Sequence, residues 1–367
     1  MSNTPMDDHI ASLDVFAQNV KEAVRGAYPS GNQPYNAVHA LFLYWNKGDL
    51  DIDPAINHLR KTLVNIYGYH AERYLMDADL TSHAAERAAS KAIRKFTEAN
   101  DNPNTLLIVI YNGHADGGPS GCKMKGSSES KVRVDWIRMA APLQVTEYAH
   151  VLVILDCCYA SVAAIEARVE LLAARGKEGT APCDPVHNLT TRFSKILENS
   201  GGRPLSVAYI YGLMLRDVRG NKLEPSPIHI ALGTKMHGNS SSICLARLGA
   251  EKLDPFVPKG QTVRVTVIAE LEDPNILPNA DEWAIFFNTL IPSNVKKICD
   301  AKAEAVYITD SITVEFSIPV EVWSVLRWFG PYKFGRFVRS RNLLLPGTET
   351  IRHANKWASI DGGSDES

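Results

Sequence analysis

The 367-residue chain lacks most of the features that assign a protein at sight. No apolar run approaches the roughly eighteen residues a membrane helix needs, and the first residues, MSNTPMDDHIASLDVF, are polar and acidic without an apolar signal-peptide stretch. A cytoplasmic chain with no membrane span is expected. Excess charge of one sign is also missing: 39 Lys and Arg stand against 41 Asp and Glu, a formal net charge of −2, so no nucleic-acid partner is expected. The six cysteines fall at 122, 157, 158, 183, 244 and 299 with no C-x-x-C spacing, which argues against structural zinc and a disulfide framework. In a reducing compartment they are thiols, most of them ordinary small core residues. GPSGCKMKG lacks the Gly-Lys-Ser/Thr of a phosphate loop, and neither G-x-G-x-x-G after a strand nor G-x-S-x-G occurs. No metal or organic cofactor is implied.

What is present is a succession of apolar runs and one-sided helices. Residues 7–27 place Ile10, Leu13, Phe16, Val20 and Val24 at helical spacing before AYPSGNQP breaks the pattern, giving a leading helix and linker over 1–35. From residue 36 strands and helices alternate: AVHALFLYW, a helix opened by Asp53 and Pro54, HAERYLM, a helix from Thr81 to about Glu98, and LLIVIY. All-apolar strands separated by one-sided helices require a parallel sheet covered on both faces. VLVILD, RVELLAA and SPIHIALG extend it to about six mostly parallel strands, a wound α/β domain over 36–248. The stretch ADGGPSGCKMKGSSESK, rich in glycine and serine, reads as a mobile loop. EKLDPFVPKGQ marks a boundary near 249–261, beyond which strands and a helix form a small α+β module to residue 358, and 359–367 read as a disordered tail.

Two strand ends carry the chemistry. LLIVIYNGHAD puts His114 just past one strand and VLVILDCCYA puts Cys158 just past another, and in α/β sheets reactive groups gather at the carboxyl ends of strands. A thiolate attacks a carbonyl, and an adjacent imidazole favours the thiolate and later protonates the leaving amine. Backbone N–H groups of Ala115 and Cys158, on the turns after the two strands, would face the oxyanion. Taken singly, a cysteine ending a strand reads as a packed core thiol, and a histidine before a glycine-rich loop as a surface turn residue. The complementary pairing at two strand ends is what raises the catalytic reading above those.

YNGHAD resembles the Y-x-G-H-G around the catalytic histidine of caspase-like cysteine peptidases, and LDCCYAS resembles the D-[SC]-C-H-S-G around their nucleophile. The resemblance spans about residues 37–248 and points to metacaspases and fungal caspase-like domains. It implies His114 and Cys158 as the catalytic pair, and Asp156 as the acid lining an S1 pocket for arginine or lysine. The substrate it implies is a peptide or protein. Only about ten residues separate Cys158 from RVELLAA, where processed caspases carry a cleavable linker, so a single uncleaved chain is expected. Ala115 stands where the family has glycine, so a left-handed backbone there would be strained, and Tyr159 and Ala160 replace the family's His-Ser. These departures support the alternative, a catalytically weak scaffold for binding and signalling in fungal death or self-recognition pathways.

Calcium, as in metacaspases, would need an oxygen cluster, and the only tempting group is Asp49, Asp51 and Asp53 of GDLDID. Asp53 is better suited to capping its helix and the others to a solvated turn, while Asp49 or Asp51 can supplement S1. Asp116, two residues past His114, reads as a base-enhancing partner or a solvated loop residue. The segment RWFGPYKFGRFVRSRN interleaves arginines with aromatic residues. It either packs on the C-terminal module with its arginines solvated, or binds an anionic membrane surface, a nucleic acid or an acidic partner; a regulatory protein partner at that module is the expectation.

Overall fold

The computed structural model describes residues 9–29, 34–118, 121–160, 169–174, 188–220, 227–230, 242–250, 256, 263–272, 277 and 279–338. Helix α1 (Leu13–Ala27) opens the chain, followed by β1 (Ala37–Trp45), α2 (Asp53–Asn65), β2 (His70–Met76), α3 (Ser82–Asn100) and β3 (Thr105–Asn112). Next come β4 (His114–Gly118), β5 (Gly121–Lys125), β6 (Val134–Asp135), α4 (Trp136–Met139), α5 (Ala141–Gln144), β7 (His150–Asp156) and β8 (Val169–Ala173). Then follow α6 (Leu189–Ser200), β9 (Leu205–Ser206), α7 (Val207–Gly220), β10 (Ile228–Ile230) and β11 (Cys244–Leu245). The chain continues with β12 (Arg264–Leu271), α8 (Ala280–Leu290), β13 (Lys302–Ile308), β14 (Ile312–Pro319), α9 (Val320–Leu326) and β15 (Lys333–Val338).

The central sheet has six strands in the order β10-β8-β7-β3-β1-β2, parallel throughout except for the antiparallel β10–β8 pair. This is the expected wound α/β sheet. Strand alternation divides the core by face. Val38, Ala40, Phe42, Leu106, Ile108 and Ile110 join the helices α2, α6 and α7, while Leu41, Leu43, Leu107 and Val109 join α3 and α4 on the other side. Helix α3 earns its place by spacing: Ala85, Ala89, Ile93 and Phe96 are buried along one stripe, and the Thr81 hydroxyl accepts from the Ala84 N–H at its start.

Two local expectations are corrected. Asp53 is not the cap of α2: Ile52 holds that position without a side-chain bond, and Asp53 is the first helical residue, where its charge favours the helix N-terminus. Outside 119–120, which lie beyond the described residues, the stretch after His114 is an antiparallel ribbon, β4-β5-β6. Cys122 and Met124 point inward and are fully buried, which anchors a segment whose composition reads as a loop.

The C-terminal sheet has the order β13-β14-β12-β15 and is antiparallel. Helix α1 packs on it, with the Phe16 ring edge-on to Phe316 at 5.2 Å, and the Ile10 N–H bonds the Glu270 carbonyl at 2.7 Å. One continuous apolar cluster joins α1, one face of the central sheet, and α8, α9 and this second sheet.

Candidate active site

Strands β3 and β7 are adjacent and in register, with Asn112 opposite Asp156, and the Gly113 N–H continues the ladder to the Asp156 carbonyl at 3.3 Å. His114 and Cys158 each lie two residues past that pair, so the chain leaves two neighbouring strands, about 4.8 Å apart, with the imidazole on one and the thiol on the other. Gly113 makes this possible on the histidine side. Its φ is +154°, and a Cβ there would sit 2.9 Å from the Tyr111 hydroxyl. That hydroxyl donates to the His114 carbonyl at 2.7 Å and accepts from the Trp45 indole N–H at 3.1 Å, tying the backbone of His114 to the buried ends of β1 and β3.

The His114 side chain is held from the opposite loop. Nε2 lies 2.6 Å from Asp49 Oδ1, and Asp49 Oδ2 accepts from the Ser128 N–H at 3.0 Å and the Ser128 hydroxyl at 2.9 Å. Partial burial works against the Asp49 carboxylate, but the bonds from Ser128 and His114 outweigh it and bring its pKa down to about 2. Asp116 does not serve the imidazole: it pairs with Lys125 at 2.7 Å and Arg133 at 2.8 Å. Ala115, within β4 and opposite Met124, is buried. The non-glycine residues with positive φ among those described are Asn104 and Tyr159, so Ala115 avoids the strain its replacement of glycine raised as an expectation.

On the cysteine side the neighbours differ sharply. Cys157 is buried, and desolvation, reinforced by the Cys122 thiol, pushes its own thiol well above the ordinary value. Cys158 is partly exposed, and its carbonyl receives the Cys122 S–H at 4.0 Å. Tyr159 follows with φ 57°, and its ring lies directly against Gly117 of β4. Asp156 is 5 % exposed; Oδ2 accepts from the Thr190 N–H at 2.8 Å and the Asn112 amide at 3.4 Å, joining β7 to the start of α6. Burial raises its pKa while the bonds from Thr190 hold it back.

Beside the pair, a cleft of about 360 Å³ lies over the carboxyl ends of β1, β2 and β3, with Asp51 and Asp53 in its lining next to Trp45, Asn112 and Gly113. Asp51 lines this cleft, while Asp49 is bonded to His114. The bond from Asp49 to His114 was not foreseen, nor was Ser128. The signal for Asp49 is its place just past the end of β1; Ser128 sits in a serine-rich run that gives none. Among the described residues no group of three or more His, Cys, Asp and Glu is arranged to hold a metal.

No family model matches the chain, and no curated protein matches it. Among solved structures it is similar to the crystal structure of caspase-1 from Spodoptera frugiperda, at 10% identity over 61% of this chain and 94% of that one, with a TM-score of 0.42.

Proposed function

We propose that the chain is a caspase-like cysteine endopeptidase acting through Cys158 and His114. One observation carries the reading: both residues leave adjacent parallel strands two positions past the registered pair Asn112–Asp156. The Cys158 thiolate attacks the scissile carbonyl carbon, and the oxyanion is met by the N–H groups of Cys158 and Ala115. His114 gives its proton to the leaving amine, then takes one from the water that hydrolyses the thioester. Cleavage follows arginine or lysine, with Asp156 reading the basic side chain and Asp51 and Asp53 adding negative charge along the adjoining cleft. A regulatory protein partner belongs to the same reading. Among the described residues strand β15 is an edge of the C-terminal sheet, and Phe334 and Phe337 on it are 45 % and 43 % exposed.

The test is turnover of fluorogenic peptides with arginine, lysine or aspartate at P1, with and without calcium. Cleavage after arginine or lysine should vanish in Cys158→Ala and fall in Asp156→Asn; a fall only in Asp51→Asn or Asp53→Asn moves the specificity to the cleft. Cleavage after aspartate would keep the pair and discard the basic preference. A second reading, a catalytically weak scaffold, is favoured by Tyr159, whose left-handed backbone and ring on Gly117 narrow the space beside Cys158. No turnover by the wild-type chain, with turnover appearing in Tyr159→His, would support it.

A further inference from the structure

We propose that Asp49 is the positioning residue of the site, fixing His114 as the tautomer with its proton on Nε2 so that Nδ1 is left to take the Cys158 proton. The inference rests on the Cys158–His114 reading for its catalytic meaning, but the tautomer itself does not. An ionised carboxylate can only accept, so at 2.6 Å from Asp49 Oδ1 the Nε2 atom must be the donor. In a neutral imidazole the other nitrogen then carries the lone pair. When the proton moves from Cys158 Sγ to Nδ1, thiolate and imidazolium form together, and Asp49, already bonded to the ring, stabilises the new cation.

The carboxylate is itself built in. Its second oxygen takes two hydrogen bonds from Ser128, so rotation of Asp49 away from the ring would break both. Two glycines bring the loops together. A Cβ on Gly126 would lie 2.8 Å from the Lys47 carbonyl, and one on Gly48 would lie 3.1 Å from the Gly126 carbonyl, so the backbones of 47–49 and 126–128 touch where any side chain would part them. With Tyr111 holding the His114 carbonyl from below, the imidazole is fixed through both its backbone and its ring. The competing anion, Asp116, is taken up by Lys125 and Arg133.

The experiment reads the ring directly. Nitrogen-15 NMR of the histidine-labelled full-length protein, with His114 assigned by loss of its signal in His114→Gln, should show the Nε2–H tautomer dominant in the neutral ring. It should become a mixture in Asp49→Ala. Iodoacetamide alkylation of Cys158, followed by mass spectrometry, should slow roughly 100-fold in Asp49→Ala and Asp49→Asn and less than about tenfold in Ser128→Ala, the range expected when a base is misoriented rather than removed. Asp49 is exposed enough for its variants to fold, which near-ultraviolet circular dichroism checks. An unchanged tautomer and unchanged alkylation in Asp49→Ala would overturn the proposal. A tautomer that shifts while alkylation is equal in wild type, Asp49→Ala and His114→Gln keeps the positioning and overturns the Cys158–His114 pair instead.

Discussion

Cys157 and Cys158 are chemically identical side chains on consecutive residues, and the fold treats them very differently. Cys157 points into the apolar layer with Cys122 and Met124, where a thiolate would be desolvated, while Cys158 sits at the partly open end of β7. At neutral pH iodoacetamide should therefore label Cys158 and leave Cys157 unmodified in the folded chain, as peptide mapping would show; equal labelling would mean that the strand end frays. Gly113 makes a second residue-scale case. Alanine there puts a methyl group 2.9 Å from the Tyr111 hydroxyl, which cannot retreat without losing Trp45 and the His114 carbonyl. Gly113→Ala should slow Cys158 alkylation at least tenfold, with a loss of roughly 1–3 kcal/mol in stability by urea denaturation, from strain and a displaced buried hydrogen bond.

Among the elements, α9 is the one whose chemistry is least expected from its sequence. Glu321 on α9 is 1 % exposed between α1 and α7: its Oε1 accepts from the Tyr28 hydroxyl at 2.8 Å, and Oε2 has no partner among the described residues. Burial pushes its pKa from 4.5 to about 7. An acid whose pKa is raised by folding is protonated in the native state where the unfolded chain has already ionised. Stability is therefore greatest below the unfolded value and declines as pH rises from about 4.5 to about 7, by on the order of 3 kcal/mol over that window. Glu321→Gln should flatten this part of the profile and raise the melting temperature above neutral pH, measured by calorimetry across pH. An unaltered profile would place the titration elsewhere.

The elements also show how much was legible beforehand. β1, β3 and β7 announce themselves because strands buried on both faces need unbroken apolar runs, and His114 and Cys158 each follow the registered pair at the ends of β3 and β7 by two residues. The β4-β5 ribbon was hidden because glycine and serine report backbone freedom, whereas its order comes from Cys122 and Met124 meeting a layer built far away in the chain. Asp49 was visible as an acid near the rim, but its partner is set by the loop closure around Gly48 and Gly126, which no local pattern encodes.

For the whole molecule, the composition of 249–261, read from the sequence as a boundary, says nothing about what packs across it. Below it the central sheet, and beyond it α9 and the C-terminal sheet, meet in one apolar cluster with α1, and a buried polar chain crosses the same junction. His229 on β10 lies 2.6 Å through Nε2 from Glu170 on β8 and 2.5 Å through Nδ1 from the Ser324 hydroxyl on α9, all three side chains inside the protein. Arg327, just past α9, adds a bond to the His229 carbonyl at 2.8 Å. Ser324→Ala leaves one nitrogen of a buried imidazole without this partner and should cost roughly 1–3 kcal/mol by urea denaturation. Cutting the chain at 250 is a harsher test of the same junction. It strips Val265, Val267, Phe287, Phe316, Val322 and Val325 from the cluster, exposing the facing sides of α1 and α7, and leaves His229 without Ser324. Such a chain should lose its near-ultraviolet circular dichroism and bind a hydrophobic dye, the marks of secondary structure without fixed packing. A truncated monomer that kept its near-ultraviolet spectrum and a cooperative melt would instead make the C-terminal sheet a detachable module and confine the wound α/β core to 36–248.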